Sequence, residues 1–385
     1  MADSDALGFR ALDELTLADL DALWTLLAGG SVIDWRGLHF HDLESAREFL
    51  RAQEYRPDQP ADRERLDAVR DQAVDYLRRH FEYPIPKPLR AMSTEELLLL
   101  ASGKGERHRV VCACVILKVM HIINHLQGRE LLFMLPLSDA QVFQLVEARI
   151  YRVIGEALSG GVPIVMFRGG RKARDSLYTK LLSKSETIAA QIYDKLRFRI
   201  VTRDEDDVLP VLAWMTRKLT PFNYLIPGES KNTLLSARAV CEASPKLRAL
   251  VDDPRRNASG DPVSVLVDNK FSAASYRVIH FVMDLPVRLP DAMLRKAPAA
   301  ARELGPVVYV LTEFQVVHQA AEALNDSGDA SHEQYKVRQL KAVRDRLSLG
   351  SGERKPVKSK PEPAPKHEGP RQRRPTQVPP MPKKG

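Results

Sequence analysis

At 385 residues, with 44% hydrophobic and 28% charged side chains, the chain can fill one large packed domain or two ordinary ones, which excludes a wholly disordered protein. The net charge of +8 is concentrated after residue 350. Ser351 to Gly385 hold ten Lys/Arg against three Asp/Glu, so the rest is close to neutral and a broadly basic nucleic-acid-binding body is excluded.

The first six residues, Met-Ala-Asp-Ser-Asp-Ala, are acidic and lack the charged-then-apolar layout of a signal peptide. The longest apolar run, Val110 to Leu117, is shorter than a membrane span and is followed by Lys118. Three cysteines, Cys112, Cys114 and Cys241, cannot build a disulfide framework. A cytoplasmic protein with no membrane partner is expected. Residues 1–160 read as a helical N-terminal domain. Leu66, Val69, Ala73, Val74, Leu77 and Phe81 recur at helical spacing, as do Val142, Val146, Ile150, Val153, Ile154 and Ala157. The segment Val110 to Leu126 is apolar on most sides and is expected as a central buried helix. Ser138 and Gln141 form a capping box, since each side chain can satisfy an otherwise unpaired backbone N–H, and Gly160-Gly161 closes that helix.

After Gly161 the pattern changes. Val162–Phe167, Leu196–Val201, Val263–Val267, Tyr276–Met283 and Val307–Val317 are rich in branched or aromatic residues and read as strands. A helix is predicted from Asp206 to Leu219, where Pro210 is tolerable because it falls in the first turn. Residues 220–261 read as a looped insertion with a short helix. A last helix is predicted from Ser331, capped with Gln334, toward Leu347. The fold class expected is α+β, a mixed β-sheet flanked by helices over residues 161–348. Residues 349–385, with nine prolines and almost no large apolar side chains, are expected to be a disordered basic tail.

Strand alternation puts Glu313 and Gln315 on one face with Tyr309 and Leu311. A carboxylate on so apolar a strand needs a cation, a metal or a rim position, because burying it unpaired is expensive. Asp194 precedes the Leu196–Val201 strand. Two carboxylates on neighbouring strands can hold Mg²⁺, a hard cation that prefers oxygen ligands, or accept a proton from a hydroxyl. Taken singly, each is as well explained by a structural pair with an arginine. Arg168-Gly169-Gly170-Arg171-Lys172-Ala173-Arg174-Asp175-Ser176 follows a predicted strand and opens a predicted helix, an arrangement suited to phosphates although it lacks P-loop spacing. A solvated basic loop is the plain alternative. Tyr276 beside Arg277 can stack a base, or serve as an ordinary half-buried strand tyrosine.

Taken in order, these segments resemble the synthetase domain of the RelA/SpoT family, which makes the alarmone (p)ppGpp. Lys172, Ser176, Leu177 and Lys180 resemble its Arg-x-Lys-x-x-x-Ser-Ile-x-x-Lys helix start. Asp194 with Phe198-Arg199 resembles its Asp and Ile/Val-Arg strand. Ser275-Tyr276-Arg277-Val278-Ile279-His280 is similar to its Asn-Gly-Tyr-x-Ser-Ile/Leu-His, and Glu313-Phe314-Gln315-Val316 to its Glu-Ile-Gln-Ile. His332-Glu333-Gln334-Tyr335-Lys336 is similar to its His-x-x-Tyr-Lys. The resemblance implies a nucleotidyltransferase-like fold that moves pyrophosphate from ATP to the 3′-hydroxyl of a nucleotide acceptor. It implies Mg²⁺ on Asp194, with Glu313 either helping to hold the metal or acting as general base on the hydroxyl. Lys172, Lys180 and Arg199 would neutralise the ATP phosphates, Tyr276 would stack on the acceptor base with His280 and Gln315 nearby, and Ser176 and Arg277 would also bind substrate.

The sequence departs from the pattern at four motif positions, and the loop before Tyr276 is much longer. Gly170 replaces the first Arg, Arg197 the small residue before Ile-Arg, Ala274-Ser275 the Asn-Gly, and Val317-His318 the Arg-Thr after the Glu strand. These departures keep open a catalytically degenerate nucleotide-binding sensor or scaffold, and a transferase acting on RNA. The tail's cations could meet RNA or an acidic partner, or simply solubilise the chain. The acceptor and the oligomeric state are left open. His41-Asp42 has no matching second metal-ligand pair. His121, His125 and Cys114 on one helix lack the zinc-protease glutamate, so hydrogen-bonded interior histidines are expected.

Overall fold

The computed structural model describes residues 8–28, 39–103, 105–183, 195–251, 275–327 and 332–348. Asp194, the predicted strand Val263–Val267, the cap at Ser331 and the tail 349–385 lie outside the described residues. The first part is helical: α1 (Leu17–Ala28), α2 (Leu43–Ala52), α3 (Pro60–Phe81), α4 (Thr94–Ala101), α5 (Arg107–Met134) and α6 (Asp139–Ser159). Then follow β1 (Ile164–Arg171), α7 (Arg174–Ser183), β2 (Leu196–Thr202), α8 (Val208–Lys218), β3 (Lys231–Asn232), α9 (Ala237–Ala243) and α10 (Pro245–Val251). The remainder is β4 (Ile279–Arg288), α11 (Asp291–Lys296), α12 (Ala299–Glu303), β5 (Val307–His318), α13 (Gln319–Asn325) and α14 (His332–Ser348).

The fold class is α+β. Among the described residues, five strands form one mixed sheet in the order β1-β2-β5-β4-β3. Only β2 and β5 run parallel; the other neighbours are antiparallel. Helices cover both faces. Gly169, Phe198, Phe314 and Phe281 face one another in register, and the three rings stack across β2, β5 and β4. Tyr151 of α6 meets Phe167 and Phe198 edge-on over this aromatic face. Gly169 is required there: a Cβ would lie 2.7 Å from the Phe198 ring and 2.9 Å from the Tyr151 hydroxyl. The run Val208–Thr216 of α8 is buried throughout, and α1 and α2 pack on that helix. On the opposite face α5 lies over the start of β5, and α13 over the ends of β2 and β5. One hydrophobic cluster extends from Leu15 in the N-terminal part to Val316 on β5.

The expected stripe on α6 is buried. Ser138 Oγ accepts from the Gln141 N–H, Gln141 Oε1 accepts from the Ser138 N–H, and Gly161 takes the left-handed conformation with φ +78°. Three local expectations need correction. Phe81 is 61% exposed, because Glu82 turns left-handed (φ 47°) and leaves Phe81 at the helix end against Tyr76. The α5 helix is half-buried rather than enclosed: Cys112, Ile116, Met120 and Leu131 face the core, whereas Leu126 and Phe133 are exposed. By length and composition α5 could cross a membrane, yet its inner flank here packs on α3, α4 and β5. Arg168–Arg171, read as a loop, continues β1, because its backbone pairs with β2 as far as Leu196.

Candidate active site

Register collects the polar residues. Arg168, Arg199, Gln315, His280 and Lys231 are each opposite the next, forming one row across all five strands. Two residues away on the same face, Arg197 of β2 stands opposite Glu313 of β5. The same face is apolar further on, where Val201, Val317 and Val278 cluster with Met166 and Tyr276. In the other direction α5 covers it, with His125 Nε2 2.7 Å and Arg129 Nη1 3.4 Å from the Asp284 carboxylate. The polar rows thus occupy a strip between the part of the face under α5 and the part under α13.

Within the strip the carboxylate of Glu313 is buried and well defined. Its Oε1 accepts from Gln315 Nε2 at 2.7 Å and lies 3.4 Å from His280 Nε2. Gln315 Oε1 accepts from Arg199 Nη1 at 3.2 Å, and the same guanidinium nitrogen donates to the Tyr276 hydroxyl at 2.9 Å. The Arg199 Cζ stands 5.8 Å from the Tyr276 ring centroid, within cation–π range. Arg199 Nη2 is 2.5 Å from Oε2 of Glu322 on α13, an ion pair whose angle falls outside hydrogen-bond geometry. The other Glu322 oxygen is 3.8 Å from Arg168 Nη1.

Of the sequence-predicted residues, Glu313, Gln315, Arg199, His280 and Tyr276 come together. Tyr276 precedes β4 rather than lying on it, since the strand begins at Ile279. Arg277 is nearby but engaged: Nη1 donates to the Thr233 carbonyl, and its backbone N–H and C=O pair with the Asn325 side chain. Lys172 follows β1, where its N–H donates to the Lys195 carbonyl at 3.0 Å. Ser176 and Lys180 are on α7, half-buried. That helix packs on α14, with Gln339 Nε2 3.4 Å from Ser183 Oγ and Arg346 donating to the Leu182 carbonyl.

Two residues escaped the sequence reading. Lys231 fell in the presumed insertion, since a two-residue strand has no periodicity to detect. Glu322 is a carboxylate only 5% exposed, on a short helix after β5. Its spacing with Asn325, three residues on in an alanine-rich helix, was the available signal.

Oxygen donors suit a hard divalent cation. The described part of the strip offers the Glu313 carboxylate, and among the described residues no group of three or more His, Cys, Asp or Glu could hold a metal. His121 and His125 on α5 serve the interior: His125 pairs with Asp284, and His121 Nδ1 lies 3.4 Å from Asn223 Nδ2. Asp42 caps α2 by accepting from the Ser45 N–H. A cavity of about 470 Å³ lies elsewhere, between α2, α6 and α8. Its charged walls pair with each other, as in Lys218–Glu48 and Arg51–Glu44.

No family model matches the chain, and no curated protein matches it. Among solved structures it is similar to the small alarmone synthetase 1 from Bacillus subtilis, at 14% identity and a TM-score of 0.28 over 55% of this chain and 87% of that one. It is also similar to the small alarmone synthetase 2 from Bacillus subtilis (16%, TM-score 0.26, 57% and 91%). A GTP pyrophosphokinase family protein from Streptococcus pneumoniae gives 15%, a TM-score of 0.27, and 54% and 84%. Values this low set no residue of this chain against one of theirs.

Proposed function

We propose that the chain is an ATP-dependent nucleotide pyrophosphokinase acting on the 3′-hydroxyl of a nucleotide acceptor. The observation that carries this reading is the convergence of Arg199, His280, Glu313 and Gln315 on one polar strip with Tyr276 at its border. These residues come from separate segments that each resemble a motif of the alarmone synthetases. The acceptor's 3′-oxygen attacks the β-phosphorus of ATP, the bond from that phosphorus to the α,β-bridging oxygen breaks, and AMP leaves. The hydroxyl proton passes to Glu313, whose carboxylate Gln315 orients and His280 adjoins. Tyr276 offers its ring to the acceptor base. Lys172, just before α7, and Ser176 and Lys180, on that helix, hold the donor's phosphates. Phosphoryl transfer of this kind depends mostly on positioning and charge neutralisation, the contribution this set of side chains can make. Glu313 together with Asp194 would hold Mg²⁺, which would supply charge neutralisation on the transferring group. A cytoplasmic location is part of this proposal, since the cytoplasm supplies both ATP and Mg²⁺.

A second reading, nucleotide binding without transfer, is favoured by Val317. It stands where the family has an arginine, and it is fully buried in the apolar cluster rather than offering a charge. Incubation with γ-labelled ATP and separate GDP, GTP, ADP and tRNA acceptors tests both. Label on one acceptor with matching AMP release supports the transferase and identifies its substrate. Nucleotide binding with no label transferred supports the second reading. Contact of RNA with the tail 349–385 is a separate proposal, tested by salt-dependent binding before and after deletion from Ser351.

A further inference from the structure

Arg199 is the hub of the strip, and what holds Arg199 is Glu322. The Glu322 carboxylate is only 5% exposed, and the cation nearest to it is Arg199, whose Nη2 is at 2.5 Å, whereas the largely exposed Arg168 is at 3.8 Å. Arg199's other described partners, Tyr276 and Gln315, are neutral. A guanidinium held only by neutral groups would swing onto any phosphate nearby, because charge-assisted bonds are the stronger ones. The carboxylate of Glu322 opposes that movement.

We propose that Glu322 is a positioning residue: by holding Arg199 it fixes the Tyr276 phenol and the Gln315 amide, and through Gln315 the carboxylate of Glu313. The catalytic side of this inference rests on the transferase reading; its structural side does not. Arg199 is thereby assigned to building the acceptor side rather than to neutralising donor phosphates.

The test uses the full chain with 3-fluorotyrosine at position 276, read by ¹⁹F NMR, in parallel with steady-state transfer from ATP to whichever acceptor takes label. Glu322→Gln, nearly isosteric, should displace or broaden the 276 resonance and raise the acceptor KM about tenfold while the ATP KM changes less than about twofold. Glu322→Asp keeps the charge and should recover most of both. Glu147→Gln, which breaks the Arg171 pair on the aromatic side of the sheet, should change neither. A 276 resonance unmoved by Glu322→Gln, or moved equally by Glu322→Asp, overturns the proposal, with thermal melts establishing that each variant is folded. A displaced resonance in a chain whose wild type transfers no label supports the positioning role and removes the transferase reading.

Discussion

Glu313 and Gln315 were legible as a pair because alternation on a strand leaves them no choice but to share a face. What alternation does not tell is their company. His280 and Arg199 reach them through register with β4 and β2, contacts separated by 33 to 116 residues in the chain. Glu322 approaches from a helix whose burial depends on the sheet already being formed. At this scale the phenol of Tyr276 is separable from its ring. Tyr276→Phe should keep base stacking but lose the Arg199 bond, a change of about threefold to tenfold in the acceptor KM, in keeping with one hydrogen bond. Tyr276→Ala should weaken acceptor binding further, by about 1–3 kcal/mol for a lost stacking platform. Titration of the acceptor against both variants measures the difference; equal losses would mean that the ring contributes nothing.

Elements with strong periodicity or chemical end-signals were readable before the fold was known. The α6 helix has both a buried stripe and a capping box, and Ser138→Ala should cost about 1 kcal/mol in urea unfolding by removing one of those caps. The ends of β1 and the whole of β3 were not readable, since glycine, arginine and lysine acquire strand conformation here only through pairing with β2 and β4. The seam between α5 and β5 has a feature visible only in the packed molecule. At Gly128 the helix comes so close that a Cβ would run into the Tyr309 ring and lie 2.7 Å from the Val307 carbonyl. Gly128→Ala should therefore destabilise the protein by about 1–3 kcal/mol, the range for overpacking, despite alanine's better helix propensity. A gain in stability would show that α5 stands off the sheet.

The whole molecule is held together partly by polar groups that tolerate no change of charge. Tyr224 and Tyr309 share a hydroxyl–hydroxyl bond of 2.8 Å, and Tyr55 donates to Asn124. Burial pushes the Tyr55 phenol up to about 12 and drives His121, beside His125, down to about 3. In the unfolded chain His121 would take a proton near 6.5, so between pH 6.5 and 3 the unfolded state binds a proton that the folded state refuses. Stability is thus retained above pH 6.5 and falls below it, by about 2 kcal/mol at pH 5 from this group alone. Urea midpoints from pH 7 to 5 should decline accordingly, and His121→Asn should flatten that slope. An unchanged slope would place the acid sensitivity elsewhere.

If the polar strip transfers pyrophosphate with the Glu313 carboxylate as base, Glu313→Gln removes the group that takes the acceptor's proton. Measured beside the wild type with γ-labelled ATP, Mg²⁺ and the acceptor panel, the variant should melt at a similar temperature and transfer label at least about a hundredfold more slowly. Label transfer and AMP release undiminished by the loss of that carboxylate would show that Glu313 is not the base.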